Sequence, residues 1–411
     1  YSSENGTNLF LTNVSVKEYL GQEVVPNSGC GSWLLEPQST NLVTYSEDFS
    51  NASWGKREIA VSNNQTTAPN GTLTADKLFI NGGNSELFYL KNSGLVVGAD
   101  MVFSFYVKKG SISTPKYAIY DNTNLSYIVP RTSYNTTDEW VRIEIPFTVP
   151  TGCTSIEVAI TYQAGAVAEG TNIFIWGAQL EQQSFATSYI PTQGATSTRL
   201  RDIASNSGNA SLINSEEGTF YAEISALADN NAADLRWMSL NDNSTNNLVA
   251  LYYYKTTNTI GAQLRVGNSQ NFRNDDIPIP SKTDFIKIAF KWKQDDVSIY
   301  INGTKEASSN SVNVFNSAVL NNISFNGGNI NDPFYGKNKA LAVYKTALTD
   351  SSLRCLTYPP AVATTFDLNF NTIAEQFTFT RGSEATFVNA QGLIQSTNEI
   401  GSELVTNGDF T

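Results

Sequence analysis

The chain contains no histidine, and this absence excludes several kinds of chemistry. Without an imidazole, neither a Ser-His-Asp nor a Cys-His nucleophile can be assembled, and zinc cannot be bound through histidine. Cys30, Cys153 and Cys355 are too few and too dispersed for a disulfide framework or a Cys-x-x-Cys metal site. We therefore expect the cysteines to be buried free thiols.

Charged residues and long apolar runs are also scarce. Only 16% of the residues are charged, and the net charge is −12. Nucleic-acid binding requires clustered Lys and Arg, so we expect no nucleic-acid partner, and the acidity is explained by solubility. No apolar run approaches the roughly 18 residues of a membrane span, so no membrane insertion is expected.

Asn, Ser, Thr and Gly are abundant, and aromatic residues make up 11% of the chain. This balance favours β-sandwiches with polar loops and disfavours helical bundles. A length of 411 residues suits about two or three domains, each large enough to bury a core. The predicted fold class is therefore all-β, with antiparallel β-sandwiches in tandem.

Alternating apolar and polar residues predict the strands of the first half. Within 101–108, the residues Met101, Phe103, Phe105 and Val107 share one face, which we expect to point into the core. The clearest predicted strands are 87–90, 101–108, 116–120, 140–147 and 155–162. Shorter junction strands are predicted at 8–11, 23–25, 365–370, 376–380 and 385–389.

The second half shows the same alternation. Phe220, Ala222 and Ile224 fall on one side of a predicted strand. Strands are predicted at 285–293 and 297–302, and Asn302-Gly303 predicts a type I′ turn, which needs positive φ at both central residues. A strand at 339–344 is followed by a short helix, for which either Thr349 or Asp350 is the predicted cap.

Two stretches carry a family resemblance. NLVTYSEDFSNASW at 41–54 and IFIWGAQLEQQSFATSYIPTQGATSTR at 173–199 resemble the opening and closing strands of jelly-roll modules in phage tail fibres and related virion proteins. Those modules are themselves similar to carbohydrate-binding modules. The resemblance implies a jelly-roll domain at 34–200.

A second resemblance covers 201–357. In this range a predicted strand is followed in order by W-x-x-D, I-Y-I-N-G and A-V-Y-x-x-A-L-T-D. This order of motifs resembles the laminin-G/concanavalin A-like superfamily. The matching positions are Trp292, Asp295, Tyr300, Asn302, Gly303, Tyr344, Leu348 and Asp350.

Junction segments complete the predicted organisation. After Pro359-Pro360, residues 358–400 resemble the segments that precede jelly-roll modules in phage fibres, and 1–33 would be the end of such a segment. GSELVTNGDF at 401–410 echoes TNLVTYSEDF at 40–49, so we expect 401–411 to begin a further module. The chain is accordingly expected to be part of a longer polypeptide.

The acidic residues are the candidates for catalysis and for metal binding. Concanavalin A-like glycosidases carry alternating carboxylates on one strand, and no such string occurs, so we expect no enzyme. Calcium is the candidate metal, held by Glu47, Asp48 and Glu181, if the first and last strands are neighbours. Related carbohydrate-binding modules often carry an Asp where this chain has Trp176-Gly177, which weakens that prediction. No other cofactor is expected.

Sugar binding requires flat aromatic faces beside polar side chains. The candidates are Trp54, Trp237, Tyr252, Tyr253 and Tyr254. If 252–254 is a strand, Tyr253 faces away from its two neighbours, and at least one ring should face solvent. Ordinary packing, subunit contact or protein recognition would account for the same residues.

The resemblance implies a structural fibre of a bacteriophage, with a tail fibre as the leading prediction. Its sandwiches would present a surface to a host glycan or protein receptor. Such fibres are usually homotrimers on the virion, so partners would be copies of this chain and other virion proteins. The alternatives are a capsid-attached head fibre or decoration protein, a bacterial cell-surface adhesin, or an accessory module of a polysaccharide-degrading enzyme.

Overall fold

The computed structural model describes residues 23–27, 30–82, 85–162, 170–228, 236–254, 258–328, 332–358, 378–380, 386–388 and 394–396. Within these ranges the regular structure is β apart from one short helix, and every ladder between the named strands is antiparallel. The predicted all-β fold class is therefore confirmed. None of the helical structure in these ranges is long and apolar enough to cross a membrane.

Ten strands of the first half form the first sandwich. The strands up to residue 181 are β1 (Glu23–Asn27), β2 (Cys30–Leu35), β3 (Ser39–Asn41), β4 (Trp54–Arg57), β5 (Ile59–Thr66), β6 (Ala75–Ile80), β7 (Glu86–Lys91), β8 (Asp100–Lys109), β9 (Lys116–Asp121), β10 (Ser126–Ser133), β11 (Val141–Thr148), β12 (Ile156–Tyr162) and β13 (Thr171–Glu181). Sheet I has the order β10-β9-β12-β7-β4, and sheet II the order β11-β8-β13-β6-β5.

The second half forms the second sandwich. Its strands are β14 (Ser197–Arg199), β15 (Ile203–Ser205), β16 (Glu217–Ala226), β17 (Arg236–Asn241), β18 (Leu248–Tyr253), β19 (Thr259–Val266), β20 (Ser269–Pro278), β21 (Ile286–Lys293), β22 (Val297–Ile301), β23 (Thr304–Ser309), β24 (Asn322–Ser324) and β25 (Gly336–Tyr344), followed by α1 (Asp350–Thr357), β26 (Thr378–Thr380), β27 (Thr386–Val388) and β28 (Ile394–Ser396). A seven-stranded sheet, β1-β2-β25-β16-β21-β22-β23, packs against a five-stranded sheet, β20-β19-β18-β17-β24.

The core of the first sandwich follows the predicted alternation. Met101, Phe103, Phe105 and Val107 of β8 all lie in the main apolar cluster between sheets I and II, as expected. The opposite face of β8 is also covered, because Tyr106 packs against Trp176 in a second cluster outside sheet II. Both sides of this strand therefore bury apolar surface.

The opening and closing stretches of the first sandwich are joined through Asn41. Its Nδ2 donates to the carbonyl oxygens of Ala178 and Ile190, at 3.1 and 2.9 Å. Its Oδ1 accepts from the backbone N–H groups of Val43 and Leu180, each at 3.1 Å. This fully buried side chain therefore supplies hydrogen bonds to backbone groups that no continuous strand ladder pairs.

The second sandwich confirms the local predictions. Phe220, Ala222 and Ile224 of β16 face its core. β21 and β22 pair, and β22 and β23 are joined at Asn302 (φ 47°) and Gly303 (φ 86°), which have the positive φ values expected of a type I′ turn. The turn therefore suits Asn-Gly, because these residues enter the left-handed region at low cost.

The short helix α1 begins as predicted, and Thr349 rather than Asp350 is its N-cap. The Thr349 side chain accepts from the Ser352 N–H. Leu353 of α1 packs on the outer face of the seven-stranded sheet with Tyr221 and Tyr300. Cys355 of α1 is exposed, so the expectation of a buried thiol is wrong there, whereas Cys153 is buried. The side chain of Cys30 lies outside the described residues.

Strand pairing near residue 34 crosses the predicted boundary between the domains, and the domain division itself stays a prediction. Trp33, Leu34 and Leu35 of β2 pair with β25 of the second sandwich, although the prediction began the jelly-roll domain at residue 34. At the other end, β15 pairs with β26. The predicted junction strands at 8–11 and 365–370 and the predicted start of a module at 401–411 lie outside the described residues.

Candidate functional site: a groove on sheet I

An open groove of about 420 Å³ lies on the outer face of sheet I. Three rows of residues across the strands form this face. Strand pairing places Tyr127, Tyr120, Glu157 and Leu90 in the first row, Ala118, Ala159, Phe88 and Gly55 in the second, and Glu86 and Arg57 in the third. Side chains of one face recur at every second residue, so these three rows lie side by side.

The middle row makes the groove deep. Ala118 and Ala159 face each other across β9 and β12, and their short side chains form a buried floor between larger neighbours. Gly55 has a related role on β4, since a Cβ there would lie 2.2 Å from the Phe88 ring. The absence of a side chain at Gly55 lets that ring lie across the strand.

Two tyrosines form one wall of the groove. The rings of Tyr120 and Tyr127 meet edge to face, with centroids 5.1 Å apart. The guanidinium of Arg131 lies over the Tyr127 ring, 5.7 Å from its centroid. Tyr127 is 42% exposed, and the neighbouring Leu125 is 73% exposed. The wall is therefore an accessible apolar surface with phenol and guanidinium donors beside it.

The turn that presents Leu125 is well ordered by hydrogen bonds. Asp121 accepts from the backbone N–H groups of Thr123 and Asn124 and from the Asn124 side chain. Burial acts to raise the pKa of Asp121, but these hydrogen bonds outweigh it and hold the pKa below its ordinary value. Leu125 itself has φ 52° and contributes to the lining of the groove.

The opposite end of the groove is charged. Arg57 forms an ion pair with Glu86, whose side chain is 1% exposed. Glu157 also lines the groove and lies close enough to Glu86 for its charge to act on the Glu86 carboxyl. Burial, followed by the charge of Glu157, raises the pKa of Glu86 to about 8, although Arg57 and Arg131 act in the opposite direction. Acceptors and donors for hydroxyl groups therefore lie next to the tyrosine wall.

Comparisons with known proteins give only partial likenesses. No family model matches the chain, and no curated protein matches it. Among solved structures, the CBM40 of the Ruminococcus gnavus IT-sialidase, bound to α2,3-sialyllactose, is 21% identical and aligns with 35% of this chain and 83% of its own, with a TM-score of 0.28.

Two further structures are similar to a comparable extent. The native heptameric SAP-like pentraxin from Limulus polyphemus is 14% identical and covers 47% of this chain and 88% of its own, with a TM-score of 0.34. The enzymatically active domain of tailspike protein 4 from bacteriophage CBA120 is 14% identical, covering 36% of this chain and 21% of its own, with a TM-score of 0.28. At such scores these likenesses assign neither a ligand nor an activity to this chain.

Trp54, a predicted sugar-binding residue, lies in the core of the first sandwich. It is 2% exposed and packs against Phe49 and Tyr89, with ring centroids 4.9 and 5.4 Å away. Its Nε1 donates to the carbonyl oxygen of Tyr45 at 2.8 Å. The ring has no face left for a ligand, because it is the inward residue of β4 and Gly55 and Arg57 occupy the outer side.

The other predicted aromatic residues lie on β17 and β18. Tyr253 faces the core and Tyr252 the opposite side, as the alternation predicts, yet both are buried. Trp237 stacks on Tyr252 with centroids 3.9 Å apart, and the Tyr252 hydroxyl donates to Asp275 at 2.5 Å. Only Tyr254 is partly exposed. Tyr254 is therefore the ring of this group that meets the expectation of solvent exposure. As a sugar-binding site, these residues stay a weaker prediction than the groove.

The three acids predicted to hold calcium have separate partners. Glu181 is fully buried and accepts from the hydroxyl groups of Ser39 and Thr187. Asp48 accepts from the N–H and hydroxyl groups of Ser50 in a turn. Glu47 accepts from the Tyr189 hydroxyl at 3.0 Å, and burial raises its pKa. Among the described residues no three potential ligands come together, and the calcium site stays a prediction.

The groove residues were missed because no short motif contains them. They belong to β4, β7, β9, β10 and β12, and long-range pairing brings them together. The alternation of β9 did place Ala118 and Tyr120 on one face. Nothing in the sequence indicated that Glu157 and Tyr127 would lie on either side of Tyr120.

Proposed function

We propose that the groove on sheet I binds a glycan and that the chain is a recognition module. The observation that carries the proposal is the exposed Tyr127 and Tyr120 wall facing a charged end within one open groove. Saccharides bind through C–H groups on aromatic faces and through hydroxyl hydrogen bonds to fixed polar groups. The groove offers both within one open space of about 420 Å³.

The arrangement of the carboxyl groups favours binding over hydrolysis. A retaining glycosidase places two carboxyl groups roughly 5 Å apart on either side of the scissile bond, and an inverting enzyme separates them further. The Glu86 carboxyl is instead held in an ion pair with Arg57, so it is not free to act as an acid or nucleophile opposite Glu157. The Glu86 side chain is moreover only 1% exposed, so Arg57 and Glu157 present most of the polar surface at this end of the groove.

The biological setting of the proposal rests on the sequence resemblance. We infer a fibre of a bacteriophage virion that presents the groove to host-surface glycans, in an oligomer that the resemblance predicts to be a trimer. An extracellular adhesin, a head fibre or an accessory module of a polysaccharide-degrading enzyme would use the same groove. Light scattering of the purified chain tests the trimer, and cryo-electron microscopy of particles tests the virion location.

A glycan array probed with the full chain at pH 6.5 tests the binding proposal. Wild type should bind a subset of glycans, and Tyr127→Ala should weaken that binding about tenfold or more, because it removes the exposed ring of the wall. Tyr358→Ala is the matched control, since Tyr358 is an exposed tyrosine outside the groove and its loss should leave affinity unchanged. Equal binding by wild type and Tyr127→Ala would contradict the assignment of the groove.

A further inference from the structure

The turn between β9 and β10 contributes two residues to the groove. Asp121 pairs with Ser126, so residues 122–125 form a four-residue loop at the end of the tyrosine wall. Asn122 at the start of this loop and Leu125 at its end both line the groove. This part of the groove, its hairpin end, therefore combines an amide side chain with an aliphatic one.

Leu125 has a backbone conformation that leucine seldom adopts. Its φ of 52° lies in the left-handed region, which costs free energy for a residue that has a Cβ. Most non-glycine residues with positive φ in the described part of the chain are Asn or Asp, which tolerate this region better. The Leu125 side chain is 73% exposed, so packing within the fold does not offset the cost. Strained residues of this kind are concentrated at binding sites, which points to a ligand that contacts the leucine.

Asn122 supplies the polar part of the hairpin end. Its backbone N–H donates to the carbonyl oxygen of Ser155, which fixes the residue in the turn. Its half-buried side-chain amide makes no hydrogen bond to another residue that the structure describes, whereas the Asn124 amide donates to Asp121 and to the Thr151 carbonyl oxygen. An asparagine amide both donates and accepts, so that of Asn122 can pair with an amide group of a ligand.

We propose that the hairpin end of the groove binds the acetamido group of an N-acetylated amino sugar, with its methyl group against Leu125 and its amide on Asn122. This inference rests on the proposed glycan-binding function and names the class of sugar. The ring C–H groups of any hexose can stack on Tyr127, but a hexose without this substituent offers only hydroxyl groups to Leu125. The acetamido methyl group instead removes the exposed leucine surface from water, and its amide matches the neighbouring asparagine.

The test uses the full chain and pairs of printed glycans that differ only at C2, with an acetamido group in one member and a hydroxyl group in the other. N-acetylglucosamine against glucose and N-acetylgalactosamine against galactose are such pairs. Wild type should bind the acetamido member at least about tenfold more tightly. Leu125→Gly should reduce this preference to about twofold or less and leave affinity for the hydroxyl member unchanged, because only the methyl contact is lost.

Two further variants complete the array experiment. Asn122→Ala removes the amide and should weaken binding of the acetamido member alone. Leu73→Gly is the matched control, since Leu73 is an exposed leucine outside the groove, and it should follow wild type.

Urea unfolding tests the strain at Leu125 without a ligand. Leu125→Gly should raise the urea midpoint, because glycine adopts a φ of 52° without steric cost. Leu73→Gly should lower the midpoint, because Leu73 has no positive φ and glycine there only adds conformational freedom to the unfolded chain. A lower midpoint for Leu125→Gly would show that the leucine stabilises the fold, and it would overturn the inference.

The outcomes on the array separate this inference from the proposed function. Equal wild-type affinity for both members of each pair, or a preference that persists in Leu125→Gly, would overturn the acetamido assignment and leave the glycan-binding groove in place. A preference for 6-deoxy sugars over their parent hexoses, without one for the acetamido members, would assign Leu125 to a bare methyl group and overturn it as well. Absence of binding to any glycan would overturn the proposed function together with this inference.

Discussion

Replacement of the buried Arg199 should destabilise the chain more than replacement of a charged residue at the surface. The Arg199 side chain is fully buried at the end of β14, with Nη2 3.3 Å from a carboxylate oxygen of Glu36 and 3.0 Å from the carbonyl oxygen of Pro37. Its Nη1 lies 3.8 Å from Asp202. Glu36 lies just after β2, so this ion group ties the entry of the first sandwich to its exit.

The expected loss in the free energy of unfolding follows from the carboxylates that the substitution leaves without a partner. Arg199→Met keeps most of the side-chain volume but strands two buried carboxylates, and removal of one partner from such a group costs about 3–5 kcal/mol. The two acids also accept backbone hydrogen bonds, Glu36 from Ser188 and Asp202 from Glu36. Those bonds hold the carboxylates in place, which prevents them from reaching solvent.

Urea unfolding monitored by tryptophan fluorescence measures the free energy of unfolding. Arg201→Met is the matched control, because Arg201 is only half-buried, and its loss should cost less than about 1 kcal/mol. Arg199→Met combined with Glu36→Gln and Asp202→Asn should recover most of the loss, since no buried charge then lacks a partner. The reasoning is refuted if Arg199→Met costs no more than Arg201→Met, or if the triple variant is no more stable than the single one.

Two further predictions concern the first sandwich. Asn41→Ala removes four hydrogen bonds to buried backbone groups and should lower the free energy of unfolding by at least about 3 kcal/mol. The control is Asn63→Ala, which changes an exposed residue and should cost about 1 kcal/mol or less. Equal urea midpoints for the two variants would contradict the role of Asn41. Burial raises the pKa of Asp76 from 3.8 to about 6, so its stabilising contribution is complete below pH 3.8 and is lost as the pH rises through 6. Between pH 4 and 7, wild type should lose roughly 2 kcal/mol relative to Asp76→Asn in unfolding measurements, and parallel pH profiles would show that the shift is absent.

The local predictions that held are those in which neighbouring residues decide the outcome. The strands predicted at 101–108 and 116–120 match β8 and β9 within one residue at each end. The Asn302-Gly303 turn and the Thr349 cap depend on φ preferences and on a side chain reaching a nearby N–H. Such terms act within a few residues, so a single sequence contains them.

The surroundings of the predicted site residues could not be read from the sequence, because their access to solvent had to be known. Trp54 and Tyr252 are flat aromatic residues beside polar loops, and composition cannot tell a buried ring from an exposed one. Glu181 was expected to meet Glu47 at a metal, yet Ser39 and Thr187 occupy its oxygens. In each case the deciding neighbour lies far away in the sequence or on another strand.

By itself the sequence determined that the chain is all-β and which side of its clearest strands faces a core, because side chains alternate at a period of two wherever a strand is half-buried. Only the tertiary structure decided that Tyr120, Tyr127 and Glu157 share a groove and that β2 joins the second sandwich. Strand order is set by pairing between distant segments, whose free energy depends on how two whole sheets pack together and is not contained in any single stretch of residues.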